Sequence, residues 1–175
     1  MASKAKIALV NAFLKLVEEE SFEKITVTKL VERCSISRQT FYYHFDDLDA
    51  MLIWAFKNET ETICKSKKEL TWKESATNYI TFLNRYDNLL RSASKSDKFI
   101  FVYNLLFDSF YSYINSYFEE KGKKISNNSD YDFFVTCMAS SFAGLVTKEI
   151  QKEKSDYEEL LSKIVRGFKL LPSEK

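Results

Sequence analysis

Arg38, Gln39, Thr40, Tyr42, Tyr43 and His44 fall within seven consecutive residues, interleaved with Phe41 and followed by Phe45. Arg and Gln side chains can pair bidentately with base edges, Thr and Tyr hydroxyls can reach phosphates, and their carbons can pack on a thymine methyl. That is the chemistry of reading duplex DNA. Catalytic chemistry has little to stand on. His44 is the single His, and Cys34, Cys64 and Cys137 lie far apart in sequence without metal-ligand spacing to it. No Gly-rich phosphate loop or nucleophile motif is present. The sequence therefore assigns no catalytic residue, no metal site and no cofactor, and the expectation is that the protein is not an enzyme.

Positioning those residues takes two short helices and a tight turn within Ile25 to Leu52. The first helix runs from about Val27 to Arg33, with Thr26 as N-cap and Val27, Leu30 and Val31 on one face. Cys34-Ser35-Ile36 breaks the pattern. Ser37 then caps a second helix over about Arg38 to His44, which turns Phe41 and Phe45 inward and leaves Arg38, Gln39, Thr40, Tyr42 and Tyr43 outward. A short helix, a three- or four-residue turn and a second helix is the arrangement that major-groove reading requires.

The stretch resembles the helix-turn-helix of the tetracycline-repressor (TetR) family, in Thr26-Val27, Leu30-Val31, Ser35-Ile36-Ser37, Tyr42-Tyr43-His44-Phe45, Leu48 and Leu52. The run Arg-Gln-Thr-Phe-Tyr-Tyr-His-Phe is most similar to the branch that includes the dihydroxyacetone kinase operon activator. Two departures stand out. Ser35 occupies the place of the turn Gly, so a non-Gly residue must take a left-handed conformation at about 1 kcal/mol. Leu48 occupies the place of a Lys that commonly touches a phosphate. The expected DNA contacts are Thr26, Thr28, Arg38, Gln39, Thr40, Tyr42, Tyr43 and His44, with Lys6 and Lys24 as outlying phosphate partners. Arg38 and Gln39 are the base readers among them.

Formal charge is balanced, with 26 Lys+Arg against 25 Asp+Glu, so bulk charge announces no nucleic-acid partner. Its distribution says more. Between Lys24 and His44 the positive residues Lys24, Lys29, Arg33 and Arg38 face Glu32 alone, which suggests a local basic patch. With 3 Gly and 1 Pro beside 15 Phe and 10 Tyr, the composition points to an all-α fold with few tight turns. Three widely spaced Cys fit a reducing cytoplasm. No apolar run approaches the ~18 residues of a membrane span, and the N-terminus, interrupted by Asn11 and Lys15, reads as a helix and not as a signal segment.

The division expected is residues 1–47 as a three-helix DNA-binding domain and 48–175 as a helical regulatory and dimerisation domain, with the polar stretch Lys65 to Leu70 as a further boundary candidate. In the first, Leu9, Ala12, Phe13, Leu16 and Val17 give a helix over about Ser3 to Glu20 one apolar face, with Phe22 as a core plug. Asp46 and Asp47 can cap a fourth helix, about Leu48 to Ser66, buried through Met51, Leu52, Ala55, Phe56 and Ile63. Thr71-Trp72-Lys73-Glu74 and Ser155-Asp156-Tyr157-Glu158 fit capping boxes that open helices from Trp72 and before Leu160. The helix from Asp97 to about Glu120 is aromatic on nearly every side, which places it centrally.

Two readings of that aromatic wealth stand side by side. The rings form core, or Tyr79, Phe82, Tyr86, Tyr103, Phe107 and Phe110 line a pocket for a planar or apolar ligand. The last two helices are too apolar for a monomer surface. Either Phe134, Met138, Ser141, Phe142, Leu145, Leu161, Ile164, Val165 and Phe168 meet a second copy, as the resemblance implies, or they are intrachain core. The function expected is a homodimeric regulator, a repressor by expectation, that binds a pseudo-palindromic operator and is modulated through its C-terminal lobe by a small-molecule effector or a protein partner. The alternative is a helical interaction module that acts through a partner protein.

Overall fold

The structure, a computed structural model, describes residues 4–65, 72–120 and 129–168. The chain folds into α1 (Lys4–Glu19), a 3-10 turn (Phe22–Lys24), α2 (Val27–Arg33), α3 (Arg38–His44), α4 (Leu48–Lys65), α5 (Trp72–Ser94), α6 (Phe99–Glu120), α7 (Ser129–Glu149) and α8 (Tyr157–Phe168). The fold is all-α: a helix-turn-helix at the N-terminus and a helical C-terminal region, without strands among the described residues.

Local sequence sets the element ends of the first lobe. Thr26 Oγ1 accepts the amide of Lys29 at 3.3 Å and Ser37 Oγ accepts that of Thr40 at 3.1 Å, so both short helices are capped as their sequences require. Asp47 Oδ1 accepts the amide of Ala50 at 2.7 Å and caps α4. Between α2 and α3 the chain closes a Schellman turn. The Ile36 amide donates to Val31 O and the Ser35 amide to Glu32 O, at 3.0 and 3.1 Å. Ser35 takes φ 53°, the left-handed conformation expected at this non-Gly position.

Packing then fixes the three helices against one another. Leu9, Val10, Phe13, Leu16 and Val17 of α1 meet Leu30 and Val31 of α2, Phe41 of α3 and Met51 and Leu52 of α4 in one core. Phe22 plugs its end, edge-on to Phe13 at 5.9 Å between ring centroids. The same core continues without interruption into α5, α6 and α7. Polar bonds tie the junction: the Phe22 amide donates to Ser92 Oγ at 2.9 Å, and Arg85 of α5 joins Glu59 of α4 to Asn11 of α1. α4 and α6 run in the same direction. Lys98 Nζ meets Asp49 Oδ2 at 2.6 Å near their starts, and Ser109 Oγ meets Thr60 Oγ1 at 2.7 Å eleven residues on along each.

α6 is central, as its aromatic sides imply, with Val102, Leu105, Leu106, Phe110, Tyr113 and Ile114 buried. On α7 the buried stripe is Val135, Ala139, Phe142, Ala143 and Val146, continued by Ile150 just after its end. Phe142 therefore departs from the expected dimer face: its ring stacks on Phe110 at 3.7 Å, inside the chain. The second capping box also shifts by one residue. Asp156, not Ser155, caps α8, its Oδ1 accepting the Glu159 amide at 2.8 Å. Ser155 is instead engaged by Asp87 and Arg91 of α5, each at 2.7 Å. The first box begins at Thr71, which lies outside the described residues, as do residues 66–70 of the polar stretch and residues 121–128.

Ser35→Gly is expected to raise the unfolding free energy by up to ~1 kcal/mol, because Gly takes the left-handed turn without the Cβ penalty. Urea denaturation of the two proteins measures it, and a loss of stability would contradict the turn described.

Candidate nucleic-acid interface

α3 is seven residues long, and its spacing divides it sharply. Phe41 and Phe45, one turn apart, point into the core at 0% and 5% exposure. Arg38 and Tyr42, again one turn apart, and Gln39 and Tyr43 beside them, lie outside. Tyr42 is 55% exposed and Tyr43 85%. Two adjacent exposed rings form a contiguous apolar patch, the kind of surface that marks interaction sites. Tyr42 rests edge-on against Phe41 at 5.4 Å, which steadies its base and leaves its hydroxyl outward.

The structure places the other expected residues as follows. The Arg38 guanidinium donates to Thr28 Oγ1, so the first turn of α2 and the first turn of α3 share one face. Thr26, the α2 cap, and Lys24, the last residue of the 3-10 turn, are exposed. Thr40 is half-buried, with its hydroxyl 2.9 Å from that of Ser37. His44 closes α3, half-buried, its ring 5.0 Å from that of Tyr43. Lys6 sits at the same end of the helix: its ammonium lies 4.8 Å over the Phe45 ring and 5.2 Å over Trp54. Such contacts contribute about 0.5–1 kcal/mol at exposed sites, so Lys6 is partly committed to holding α1 against α3 and α4.

The basic patch is smaller than the sequence suggests. Lys29 pairs with Glu20 at 2.6 Å, and Arg33 grips Glu19 through both guanidinium nitrogens at 2.5 and 2.6 Å. The Arg33 hydrogen bonds hold the exposed Glu19 carboxyl below its ordinary range. Positive charge on the reading face thus rests on Arg38 and Lys24, with Lys6 at its edge. Leu48, where a Lys is common, packs against the core. Burial pushes the Cys34 thiol up, which keeps it protonated and a poor nucleophile. Among the described residues no three His, Cys, Asp or Glu side chains come together as metal ligands.

In the C-terminal lobe the expected pocket residues separate. Tyr79 and Phe110 line a cavity of about 210 Å3 between α5, α6, α7 and α8. Phe82 and Tyr86 pack on Phe56 of α4 as core. Tyr103 reaches Ser140 O at 3.4 Å, and Phe107 stacks on Tyr111. The reading from rings alone missed Ala76, Ile80, Leu83, Tyr113, Tyr157 and Leu160, and it set Met138, Phe142, Leu161 and Ile164, which also line the cavity, on a dimer face. Aliphatic spacing on α5 and α8 was the available signal. Of the expected dimer residues, Phe134, Ser141 and Leu145 are exposed and Met138, Leu161 and Ile164 half-buried. The side chains of Val165 and Phe168 lie outside those described.

A short capped helix anchored by two Phe and presenting Arg, Gln and Tyr is the reading unit of a helix-turn-helix DNA-binding protein. Residues 9–53 match the family model for bacterial regulatory proteins of the tetR family. Over 164 residues, 90% of this chain and 84% of the other, the sequence is 23% identical to the HTH-type dhaKLM operon transcriptional activator DhaS of Lactococcus lactis subsp. lactis (strain IL1403). The fold is that of a dihydroxyacetone kinase operon activator DhaS structure, with TM-score 0.71, 16% identity and coverage of 97% and 99% of the two chains. It is also that of a TetR transcriptional regulator from Streptococcus agalactiae 2603V, with TM-score 0.60, 20% identity and coverage of 94% and 93%. Residues 9–53 are thus similar to the DNA-binding segment of tetR-family regulators, and the chain as a whole is similar to DhaS.

The burial contrast along α3 sets a test. Tyr43→Ala should leave stability within roughly 0.5 kcal/mol, whereas Phe41→Ala should cost roughly 3–5 kcal/mol. Chemical denaturation compares them, and similar losses from both would show that α3 is turned otherwise.

Proposed function

We propose that the protein binds a pseudo-palindromic operator as a homodimer, with Arg38 and Gln39 reading base edges in the major groove. Thr26, Thr28, Thr40, Tyr42, Tyr43 and His44 position α3 on the backbone, and Lys6 and Lys24 add outlying phosphate contacts. The observation that carries this reading is the exposure of Tyr42 and Tyr43 beside Arg38 and Gln39 on a helix whose other side is wholly buried. The Arg38–Thr28 bond supports it further, because it pre-orients the guanidinium at the entrance of the groove-facing surface.

The dimer is proposed to form on α7 and α8. In support, Phe133 and Phe134 are 69% and 46% exposed and Leu145 39%. Nothing lies within 4 Å of where a side chain on Gly144 would begin, so a second backbone can come close. The domain division also belongs to this reading: residues 1–47 read DNA and 48–175 sense and dimerise, with α4 shared between them. Repression is the sense expected from the sequence. DhaS, by its name, is an activator, and the sense for this chain is read by reporter expression from the bound operon. No helix among the described residues is long and apolar enough to cross a membrane, which agrees with a cytoplasmic site of action.

Modulation through the C-terminal lobe has a physical route. Tyr79, a cavity residue, bonds Ser109 at 2.9 Å, Ser109 bonds Thr60 of α4 at 2.7 Å, and Thr60 donates to Phe56 O at 2.8 Å. Because the Thr60 proton is committed to Phe56 O, Ser109 donates to Thr60 and Tyr79 to Ser109. The chain therefore has one direction, from the cavity wall to the helix that carries the reading head. An effector that favours one placement of Tyr79 would bias the spacing of the two heads. The alternative, an interaction module acting through a partner, draws on Ile53 and Ile100, which are 53% and 65% exposed on α4 and α6.

Purified protein used to retrieve genomic fragments is expected to enrich a two-fold symmetric site. Arg38→Ala with Tyr42→Ala should weaken binding to it by several kcal/mol, on the scale of ~1–3 kcal/mol for each good base contact, while circular dichroism stays unchanged. Affinity should also fall steeply with salt. Flat salt dependence and undiminished binding by the double variant would move the assignment to the partner-binding module. Leu145→Asp should halve the mass in light scattering, and a wild-type monomer would remove the dimer.

A further inference from the structure

The cavity between α5 and α8 has a chemistry of its own. Ala76, Ile80, Leu83, Met138, Leu160, Leu161 and Ile164 contribute aliphatic carbon and a thioether, and Tyr79, Phe110, Tyr113, Phe142 and Tyr157 contribute rings. No charged residue lines it. Two of its phenols are turned to other partners: Tyr79 to Ser109 at 2.9 Å and Tyr157 to Asp87 at 2.5 Å. Burial and the Asp87 carboxylate push the Tyr157 phenol up, so it stays neutral. Asp87, which Tyr157 meets, and Arg91 are closed on each other, on Ser155 and on the carbonyls of Ile150 and Lys152.

Such a space does not suit water, which needs two to four polar partners, or an ion, which would lose its hydration without a counter-charge. A dry void of ~150 Å3 lined by Leu, Ile and Phe is known to accept benzene. This one is larger, at about 210 Å3. The stacked pair Phe110 and Phe142 also supplies an aromatic floor of the kind a ring packs against.

We propose that the cavity bounded by Ala76, Leu83, Phe110, Met138, Phe142 and Leu161 is a binding site for a small, neutral, apolar molecule of about the size of a substituted benzene, and that it excludes anions. This rests on the reading of the C-terminal lobe as the sensing part of the regulator and names the class of molecule it would sense. Methionine placement supplies an internal probe. Met138 is in the cavity wall, and Met51 is fully buried in the N-terminal core, outside the cavity lining.

The test uses the full chain with 13C-labelled methionine methyls, toluene as probe and benzoate as its anionic counterpart, and no DNA. Toluene is expected to bind saturably with one site per chain and a Kd on the order of 0.1–1 mM. It should shift the Met138 methyl signal by its ring current while Met51 stays in place, and it should raise the thermal midpoint. Benzoate should bind at least tenfold more weakly. Ala76→Leu, which fills part of the void, should weaken toluene at least tenfold. The proposal is overturned if toluene fails to saturate up to its solubility, if benzoate binds as well, or if saturation leaves Met138 unmoved. Folded Ala76→Leu with undiminished affinity would overturn it equally, and the methyl signals decide the question whether or not that variant folds. Because no arm contains DNA, a lost operator complex and a lost ligand site register separately.

Discussion

A helix of seven residues does not persist by itself in water, since nucleation is unfavourable and isolated helices become marginal below ~12–15 residues. α3 exists because Phe41 is wholly buried and Phe45 nearly so. Their two rings, 5.9 Å apart, lock the inner face onto the core formed by α1, α2 and α4. Ser37 satisfies the start of the helix and the Phe45 amide, donating to Phe41 O at 3.0 Å, closes its end. Everything outward on α3 inherits its direction from that anchorage. Tyr42 and Tyr43 can be nearly free of intramolecular contact and still be well aimed, because the backbone beneath them has no alternative register.

The same economy governs α4. Met51, Leu52 and Ala55 face the reading lobe, Phe56 and Thr60 face α5 and α6, and all are buried. α4 lies parallel to α6 and is bonded to it at two places eleven residues apart, through Asp49–Lys98 and Thr60–Ser109, which ties the two helices together. In the proposed regulator, a displacement in the C-terminal lobe would reach the reading head through α4. A close-packed core transmits such shifts without absorbing them.

Much of this was legible in the sequence, and the reasons for what was not are physical. Helical period, caps and the strained turn are local properties, so α1 to α4, Thr26, Ser37, Asp47 and the left-handed Ser35 could be read directly. Charge pairing is not local. Glu19 and Glu20 stood apart from Lys29 and Arg33 in sequence, yet crossing of α1 and α2 joins them. Ser155 offered a good N-cap until tertiary partners on α5 claimed its hydroxyl, and Asp156 took the cap. On α7 apolar residues cover so much of the surface that periodicity gives no direction. Only the neighbouring Phe110 decides that Phe142 points inward. The cavity needs four helices to exist, which no single segment can announce.

α8 shows how those non-local ties combine. Its first residue, Tyr157, is at once a wall of the cavity and the donor to Asp87, within the cluster that fixes the α7–α8 turn to α5. Arg91 holds that turn through Ile150 O, Lys152 O and Ser155, and Glu149, itself buried, accepts the Asp156 amide at 3.0 Å. The start of α8 is therefore pinned, while Leu160, Leu161 and Ile164 rest over the cavity without polar bonds to either side of it. A molecule that fills the cavity would add dispersion contacts to those three residues and so alter how firmly α8 lies on the bundle. Since α8 is also half of the proposed dimer face, cavity filling and subunit contact act on one helix. In the proposed dimer the separation of the two reading heads would follow the angle at which α8 and α7 meet their copies, and Tyr157 ties the start of α8 to Asp87 of α5.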